Sequence, residues 1–441
     1  MKYLPKTDPQ IYKLIKEEEK RQKDVLEMIP SENYTSQAVM ETLGSVLTNK
    51  YSEGYATKRY YQGNAVVDQV EMLAIERAKK LFGVPYVNVQ PYSGSPANAA
   101  IYMAVLKPGQ KLMGLALDHG GHITHGLDVI GFSGTFYKTA HYTVNQKTRQ
   151  LDYKEVEEQV LKEKPDLLIC GFTAYSRTID WAKFRKIADK AGCFLMADMS
   201  HITGLVVGGA HPSPVAYVDV VMTTTHKTLR GPRGAMIMVT ERGLKKDPEL
   251  PKRINTAVFP GLQGGPHDNQ TAAIAVALKE ASSAKFKTYA HQIVKNAKAL
   301  SEELMKHDLQ VVSGGTDNHL VLVDLQNKNV SGKIAAEALE VAGIVLNYNL
   351  VPYDPMPPFY TSGIRMGTPA LTTRGMKERE MVKIARWIAR TVAEVEGYTL
   401  PQDKEGRVEL LKKFRKEIGT NKNLKKIAKE VKDMCAKFPV P

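Results

Sequence analysis

Cysteine is scarce in this 441-residue chain: Cys170, Cys193 and Cys435 are the only three, and they follow no repeated spacing. Three thiols, the first two inside apolar runs, exclude a disulfide framework and point to buried cysteines in a reducing cytoplasm. Long apolar stretches are missing as well, and none reaches the ~18 residues that a membrane span needs. The N-terminus, Met1-Lys2-Tyr3-Leu4-Pro5-Lys6, runs into a charged helix and lacks the apolar segment of a secretory signal. Zinc-finger spacing, aromatic-basic RNA motifs, internal repeats, low-complexity segments and long linkers are also lacking. The expectation is a soluble cytoplasmic protein without a membrane partner. What remains is an ordinary globular composition, 43% hydrophobic and 24% charged, in a chain long enough for two domains.

Acidic side chains are outnumbered, 47 against 61 basic ones, for a net charge of +14. Much of the excess sits near the C-terminus, in Leu411-Lys412-Lys413-Phe414-Arg415-Lys416 and Asn423-Leu424-Lys425-Lys426-Ile427-Ala428-Lys429. There Leu411, Phe414, Ile418, Leu424, Ile427, Ala428 and Val431 recur at helical spacing. The lysines therefore read as solvated faces of amphipathic helices, which argues against a nucleic-acid partner and suits anionic small ligands.

A charged amphipathic helix is expected over residues 8 to 28. From about 66 to 240, helices alternate with short apolar strands: helix Val67–Leu81, strand Tyr86–Gln90, helix Pro96–Leu106, strand Lys111–Leu117, helix Tyr153–Glu163 and strand Asp166–Cys170. Helix Trp181–Lys190 and strands Cys193–Ala197, Val218–Met222 and Ala235–Val239 complete the series. Such alternation predicts an α/β domain with a mostly parallel sheet between helices, whose ligands collect at the carboxyl ends of the strands. Beyond a long helix Asn269–Leu304 come strands Gln310–Val312 and His319–Val323, helix Gly332–Val341 and a terminal helical region, a smaller α+β domain. The expected organisation is an N-terminal helical arm (1–30), a large domain (31–285) and a small domain (286–441).

Chemistry concentrates where strands end. Val218-Asp219-Val220-Val221-Met222-Thr223-Thr224-Thr225-His226-Lys227 closes an apolar run with three threonines and a lysine, in a turn interrupted by Gly231, Pro232 and Gly234. A partly desolvated lysine there can form a Schiff base. The strand before it ends in Asp198. An aspartate and a lysine closing successive strands fit a pyridoxal phosphate site, the carboxylate keeping the pyridine nitrogen protonated. Pro91-Tyr92-Ser93-Gly94-Ser95-Pro96 precedes an apolar helix, with Ser95 as the expected N-cap and Pro96 at the first helical position, so its hydroxyls and backbone N–H groups form a candidate phosphate cup. The loop Asp118-His119-Gly120-Gly121-His122-Ile123-Thr124-His125 allows a metal site with Asp198 and His201. A flat cofactor gives it another use, stacking by His122, and no metal is assigned. Arg365, in an expected glycine-flanked turn, suits bidentate capture of a carboxylate. Tyr51-Ser52-Glu53-Gly54-Tyr55-Ala56-Thr57-Lys58-Arg59-Tyr60-Tyr61 is dense in tyrosine with one acid, which suits either a stacking or binding surface or a packed core loop.

Together with Ser31-Glu32-Asn33-Tyr34-Thr35-Ser36, Leu47-Thr48-Asn49-Lys50-Tyr51 and Phe259-Pro260-Gly261-Leu262-Gln263-Gly264-Gly265-Pro266-His267, these segments resemble the serine hydroxymethyltransferase family, in order along nearly the whole chain. The resemblance implies the pyridoxal-phosphate fold type I, with a mostly parallel seven-stranded sheet and a smaller α+β domain. It also implies reversible conversion of L-serine and tetrahydrofolate, or a modified pterin, to glycine and the methylene-folate, through aldimine and quinonoid intermediates. Lys227 would carry the cofactor, Asp198 pair with its ring nitrogen, His122 stack, and Ser93, Gly94 and Ser95 hold its phosphate. Thr173 would hydrogen-bond the cofactor, and His201 would lie near its phenolic oxygen. Tyr51, Gly264 and Gly265 would reach the phosphate from a neighbouring subunit of a homodimer, alone or as a dimer of dimers. Ser31, Arg365 and His201 would meet the amino acid, while Glu53, Tyr61 and His226 join Lys227 as catalytic groups. Tyr60, Leu117, Gly121, Ile123 and Asn349 would contact the folate. Ala56-Thr57 stands where the family usually has Pro-Gly, Pro96 replaces a Gln, Asp118 a small residue, and Gln62-Gly63-Asn64-Ala65 a Gly-Gly-Cys-Glu pattern. Alternatives are a folate-independent β-hydroxy-amino-acid (threonine) aldolase on the same scaffold and, from another class, a metal-dependent hydrolase built on His122, His125 and Asp198.

Overall fold

The computed structural model describes residues 1–128, 131–401 and 403–441. The chain divides into two compact units, one formed by Thr35–Val294 with Thr316–His319, the other by Met1–Tyr34, Lys295–Gly315 and Leu320–Pro441.

The larger unit is built on seven strands: β1 Tyr86–Asn88, β2 Lys111–Leu115, β3 Lys138–Tyr142, β4 Leu167–Cys170, β5 Phe194–Asp198, β6 Val220–Thr224 and β7 Ala235–Val239. Their order across the sheet is β1-β7-β6-β5-β4-β2-β3. Only β7 runs antiparallel to its neighbours, so the other six strands end along one edge. Alternate residues serve opposite faces. Met113, Leu168, Leu195 and Val221 pack under helices Ala65–Phe82, Tyr153–Glu163, Trp181–Ala191 and Asp268–Ala281. Leu112, Ile169, Met196 and Met222 pack under Gly94–Val105 and Leu250–Thr256. This is the expected mostly parallel sheet with helices on both sides.

The departures are local and have causes. Strand β3, Lys-Thr-Ala-His-Tyr, escaped the periodicity because it is an edge strand with too few apolar residues. Strand β6 runs two residues past Met222, since the threonines there and just beyond satisfy their hydroxyls internally: Thr223 bonds Thr203, and Thr225 Oγ1, one residue past the strand, donates to the Pro232 carbonyl at 2.6 Å. The long helix expected over 269–304 is two helices, Asp268–Ala281 and Ala284–Lys306, parted at Ser282-Ser283, where the Ser283 hydroxyl accepts the Phe286 N–H. Helix Gly94–Val105 starts earlier than expected. Ser93, not Ser95, is its N-cap, and Ser95 lies in the first turn.

The other unit joins both chain ends, so the N-terminal residues are not a separate arm and the division falls at Val294/Lys295 rather than near 285. Leu26–Glu27 pairs in parallel with Ile344–Val345. Buried Arg374 donates to the carbonyls of Gln22, Lys23 and Val25 at the end of helix Pro9–Asp24, and to Cys435 and Phe438 at the end of Lys422–Cys435. One guanidinium thereby satisfies the orphan carbonyls of two helix termini. A four-stranded antiparallel sheet takes Leu320–Asp324 and Gly363–Gly367 as its inner strands. Leu411, Phe414, Ile418, Leu424, Ile427 and Val431 are buried, as their helical spacing requires. Thr316–His319 returns to the larger unit because the Asp317 N–H donates to the Ser176 carbonyl and the Asn318 amide to that of Tyr175.

Candidate active site

In the larger unit the edge of six strand ends gathers the candidate residues. Asp198 closes β5 and is paired in register with Met222 of β6. Two residues beyond Met222, Thr224 ends β6, and its Oγ1 accepts the Lys227 Nζ at 3.0 Å. The Thr228 hydroxyl anchors the turn on the His201 carbonyl at 2.9 Å. Gly171, just past β4, has φ of +122°, and a Cβ there would lie 1.9 Å from the Asp198 carbonyl oxygen, so only glycine lets the two strand exits run this close.

Asp198 is 8% exposed, and its carboxylate accepts from His125 Nε2 at 3.0 Å, Asn98 Nδ2 at 3.1 Å and the Ser200 N–H at 3.1 Å. Burial alone would raise its pKa, but the hydrogen bonds from His125 and from the Ser200 N–H outweigh it and hold the carboxyl well below the usual carboxylate range. Among the described residues, no Lys or Arg forms an ion pair with it. A buried anion with this donor set fits a cationic heterocycle, as a protonated pyridine ring is. The first turn of helix Gly94–Val105 offers N–H groups without intrahelical partners, beside the half-buried Ser93 and exposed Ser95, which suits a phosphate.

His122 is half-buried, with Nδ1 hydrogen-bonded to Thr124 Oγ1 at 2.8 Å. His201 stacks on His319, ring centroids 5.5 Å apart. His226 is pushed down to about 3 by burial and by the charges of Lys227 and Arg233, so it is neutral at pH 7. The Thr173 N–H donates to the Gly120 carbonyl. Gly121 is buried against the Leu115 carbonyl, Leu117 is half-buried, and Ile123 is 52% exposed.

A second cluster lies on the surface of the same unit. Glu53 accepts the Tyr51 phenol at 3.1 Å and the Tyr61 phenol at 3.4 Å, which pushes the Tyr51 pKa up. Gly264 and Gly265 lie against Tyr51 and Glu53. Tyr92, next to Ser93, donates to the Gly265 carbonyl at 2.6 Å, and Tyr60 sits beside Phe259.

Ser31, Asn349 and Arg365 belong to the other unit. Arg365 is not in a turn. It lies in the inner strand Gly363–Gly367, 8% exposed, with Nε on Asn347 Oδ1 at 3.0 Å, and burial pushes it down to about 10. The flanking glycines suggest a turn, but Gly363 is buried in the strand, where a Cβ would meet the Val351 side chain at 2.5 Å and the Asn349 carbonyl at 2.9 Å. Asn349 donates to the Leu350 carbonyl, and Ser31 is half-buried.

The sequence assigns Asn98, Thr124, Thr224 and His319 no role, and His125 only that of a metal ligand in the alternative, yet they hold the site residues. Asn98 had left a trace: an amide alone among Ala97, Ala99, Ala100 and Ile101 in a helix interior. Among the described residues, no three His, Cys, Asp or Glu side chains converge as the ligands of an ion would.

A lysine and a buried carboxylate just past the ends of adjacent parallel strands, beside a helix N-terminus suited to a phosphate, fit the class of pyridoxal-phosphate-dependent α/β enzymes. The comparisons agree and narrow it. Residues 4–388 match the family model described as serine hydroxymethyltransferase. The chain is 52% identical over 441 residues to a serine hydroxymethyltransferase of Desulfotalea psychrophila, covering 100% of this chain and 96% of that protein. It is 51% identical over 438 residues to one from Acidothermus cellulolyticus (99% and 97% covered) and 50% identical over 433 residues to one from Legionella pneumophila (98% and 97%). The chain belongs to the serine hydroxymethyltransferase family. Its activity is the family's pyridoxal-phosphate-dependent, reversible conversion of L-serine and tetrahydrofolate to glycine and 5,10-methylenetetrahydrofolate.

Proposed function

We propose the following division of labour for that reaction. Lys227 binds the cofactor's aldehyde through its amine, Asp198 accepts the ring N–H, and His122 covers one face of the ring. Ser93, Gly94 and Ser95 hold the phosphate, while Thr173 and His201 contact the ring's edge. An electron sink for the bonds at the substrate α-carbon is what bound pyridoxal phosphate supplies. Arg365, Ser31 and His201 orient the amino acid, the guanidinium taking the carboxylate as a charge-assisted pair. Glu53 moves the proton at the serine hydroxymethyl group with Tyr61 beside it. His226, kept neutral, adds no second positive charge next to the Lys227 amine. Tyr60, Leu117, Gly121, Ile123 and Asn349 meet the folate or a modified pterin.

The working unit in this reading is a homodimer, alone or as a dimer of dimers, in which Tyr51, Gly264 and Gly265 of one chain reach the phosphate bound by the other. The protein acts in the cytoplasm. Three buried free thiols and the lack of any helix long and apolar enough to cross a membrane, among the described residues, support that placement. The small-domain role of Arg365 follows the same organisation of a large and a small domain.

One observation carries the reading: Asp198 and Lys227 leave neighbouring strands together, one a buried anion and the other an amine held on Thr224. Arg365→Ala tests the substrate half. Removing one partner of a buried charge-assisted pair amounts to ~3 kcal/mol, so the serine KM should rise about a hundredfold with a smaller change in kcat. An unaltered serine KM would reject the role of Arg365.

A further inference from the structure

The groups assigned to the edge and the face of the cofactor ring are tied to each other. Asn98 is fully buried, one turn into the helix whose first turn forms the phosphate cup. Its side-chain amide donates one N–H to Asp198 Oδ2 at 3.1 Å and another to Thr124 Oγ1 at 2.8 Å. Having accepted from Asn98, the Thr124 hydroxyl donates to His122 Nδ1 at 2.8 Å, where the Thr124 N–H also points at 3.2 Å. These donors make His122 Nδ1 an acceptor and place the ring hydrogen on Nε2. The second donor to Asp198 Oδ2 is His125 Nε2, at 3.0 Å and 2% exposed. A carboxylate only accepts, so His125 also carries its hydrogen on Nε2, and its buried Nδ1 has no partner among the described residues.

With Oδ2 filled by two donors and the Ser200 N–H on Oδ1, the carboxylate plane cannot swivel. The remaining acceptor capacity lies on Oδ1, where a ring N–H can be met. We propose that Asn98 and His125 are positioning residues that lock Asp198 and His122 into one preassembled seat, gripping the cofactor ring by edge and face at once. The inference rests on the roles given above to Asp198 and His122. Neither residue touches the reacting atoms. Their effect is to remove rotamer freedom and keep the carboxylate aimed before the ring arrives.

The test compares apo-protein of the wild type, Asn98→Ala, His125→Phe, His125→Asn and, as reference, Asp198→Asn. Pyridoxal phosphate affinity is measured by titration, and histidine tautomers by nitrogen-15 NMR without the cofactor. Losing one hydrogen bond to a buried carboxylate predicts roughly tenfold weaker cofactor binding in Asn98→Ala and His125→Phe. His125→Asn, which keeps an N–H donor, should recover part of the loss. Wild-type apo-protein should show the Nε2–H form of both His122 and His125. Asn98→Ala frees the Thr124 hydroxyl to accept from His122 Nδ1 in competition with the longer Thr124 N–H contact. Part of His122 should therefore move to the Nδ1–H tautomer without a change in the far-ultraviolet spectrum, an effect that a merely structural role would not produce. Should His125→Phe fail to fold, the His122 tautomer in Asn98→Ala decides. Weaker binding in Asp198→Asn with wild-type affinity and tautomers in the other variants would overturn the seat while leaving the reading of Asp198 intact. Wild-type affinity in Asp198→Asn would overturn that reading itself.

Discussion

At the ends of β5 and β6 the polar side chains are buried and bonded within the chain; around Tyr51 they stand open to solvent. Asp198, Asn98 and His125 are at most 8% exposed, whereas Tyr51, Tyr60 and Tyr61 are 56%, 73% and 45% exposed. Both regions belong to the same unit and are linked through Tyr92, whose phenol reaches Gly265 while its neighbour Ser93 caps the phosphate helix. The difference separates two kinds of readiness. In the buried region, hydrogen bonds within the chain already hold the carboxylate in place. The open patch has an acid, three phenols and two glycines close together, with much of the ring surface left exposed. Such a patch is suited to completion by a second copy, as the proposed dimer requires.

The largest expected effect lies in the buried region. Lys227→Ala should lower turnover by roughly 10⁴-fold or more, because a residue that carries the cofactor covalently cannot be replaced by positioning alone. Steady-state assays and loss of the bound cofactor's visible absorbance check this, and near-normal turnover would reject the role. The contrast between the regions is broken or sharpened by mixing. If the patch serves the other chain's seat, Lys227→Ala and Tyr51→Ala proteins, unfolded and refolded together, should regain activity. Half of the dimers would be mixed, each with one of two seats complete, giving about a quarter of the wild-type rate. No gain over the separate variants would mean that each chain uses its own patch.

Smaller effects concern stability. The His226 pKa is about 3 in the folded protein, against an ordinary value near 6.5, so between these limits the unfolded chain binds the extra proton. Stability should therefore fall as pH drops from ~6.5 toward ~3, and His226→Gln should remove a share of that loss of ~3 kcal/mol. Denaturant unfolding at several pH values measures it, and identical slopes in both proteins would contradict the burial of a neutral ring. The smallest effect is in the open region. Thr57 has φ of +68° in the turn of the hairpin formed by Gly54–Tyr55 and Lys58–Arg59, a left-handed conformation that a β-branched residue adopts only under strain. Thr57→Gly should stabilise the protein by ~1 kcal/mol, and a lower unfolding midpoint would show that the turn is not strained.

How far the sequence could be read follows from the same contrast. Lys227, Asp198 and the serine-glycine turn stood out as candidates because they follow apolar runs, and strand ends in a parallel sheet are where ligands gather. The periodicity of the strands set their faces, but strand length failed where side chains bonded one another: the threonines of β6 look like a loop until Thr203 and Pro232 are seen to satisfy them. Arg365 looked like a turn residue because glycines surround it, although an inner strand packed under backbone needs the same glycines. The part played by Asn98 and His125 was hidden for another reason, His125 having stood out only as a ligand of the alternative metal site. Their meaning lies in partners such as Asp198, 100 and 73 residues away, and spacing along the chain carries no sign of those bonds. Arg374, which closes two helix ends, was missed likewise. Ala56-Thr57 was visible as a departure from the family's Pro-Gly, but the strain it brings needed the backbone angle.

The most direct measurement is chemical trapping. Protein loaded with pyridoxal phosphate is reduced with borohydride, digested and mapped by mass spectrometry. The account predicts a single pyridoxyl modification at Lys227. A modification at any other lysine, or none, would contradict it.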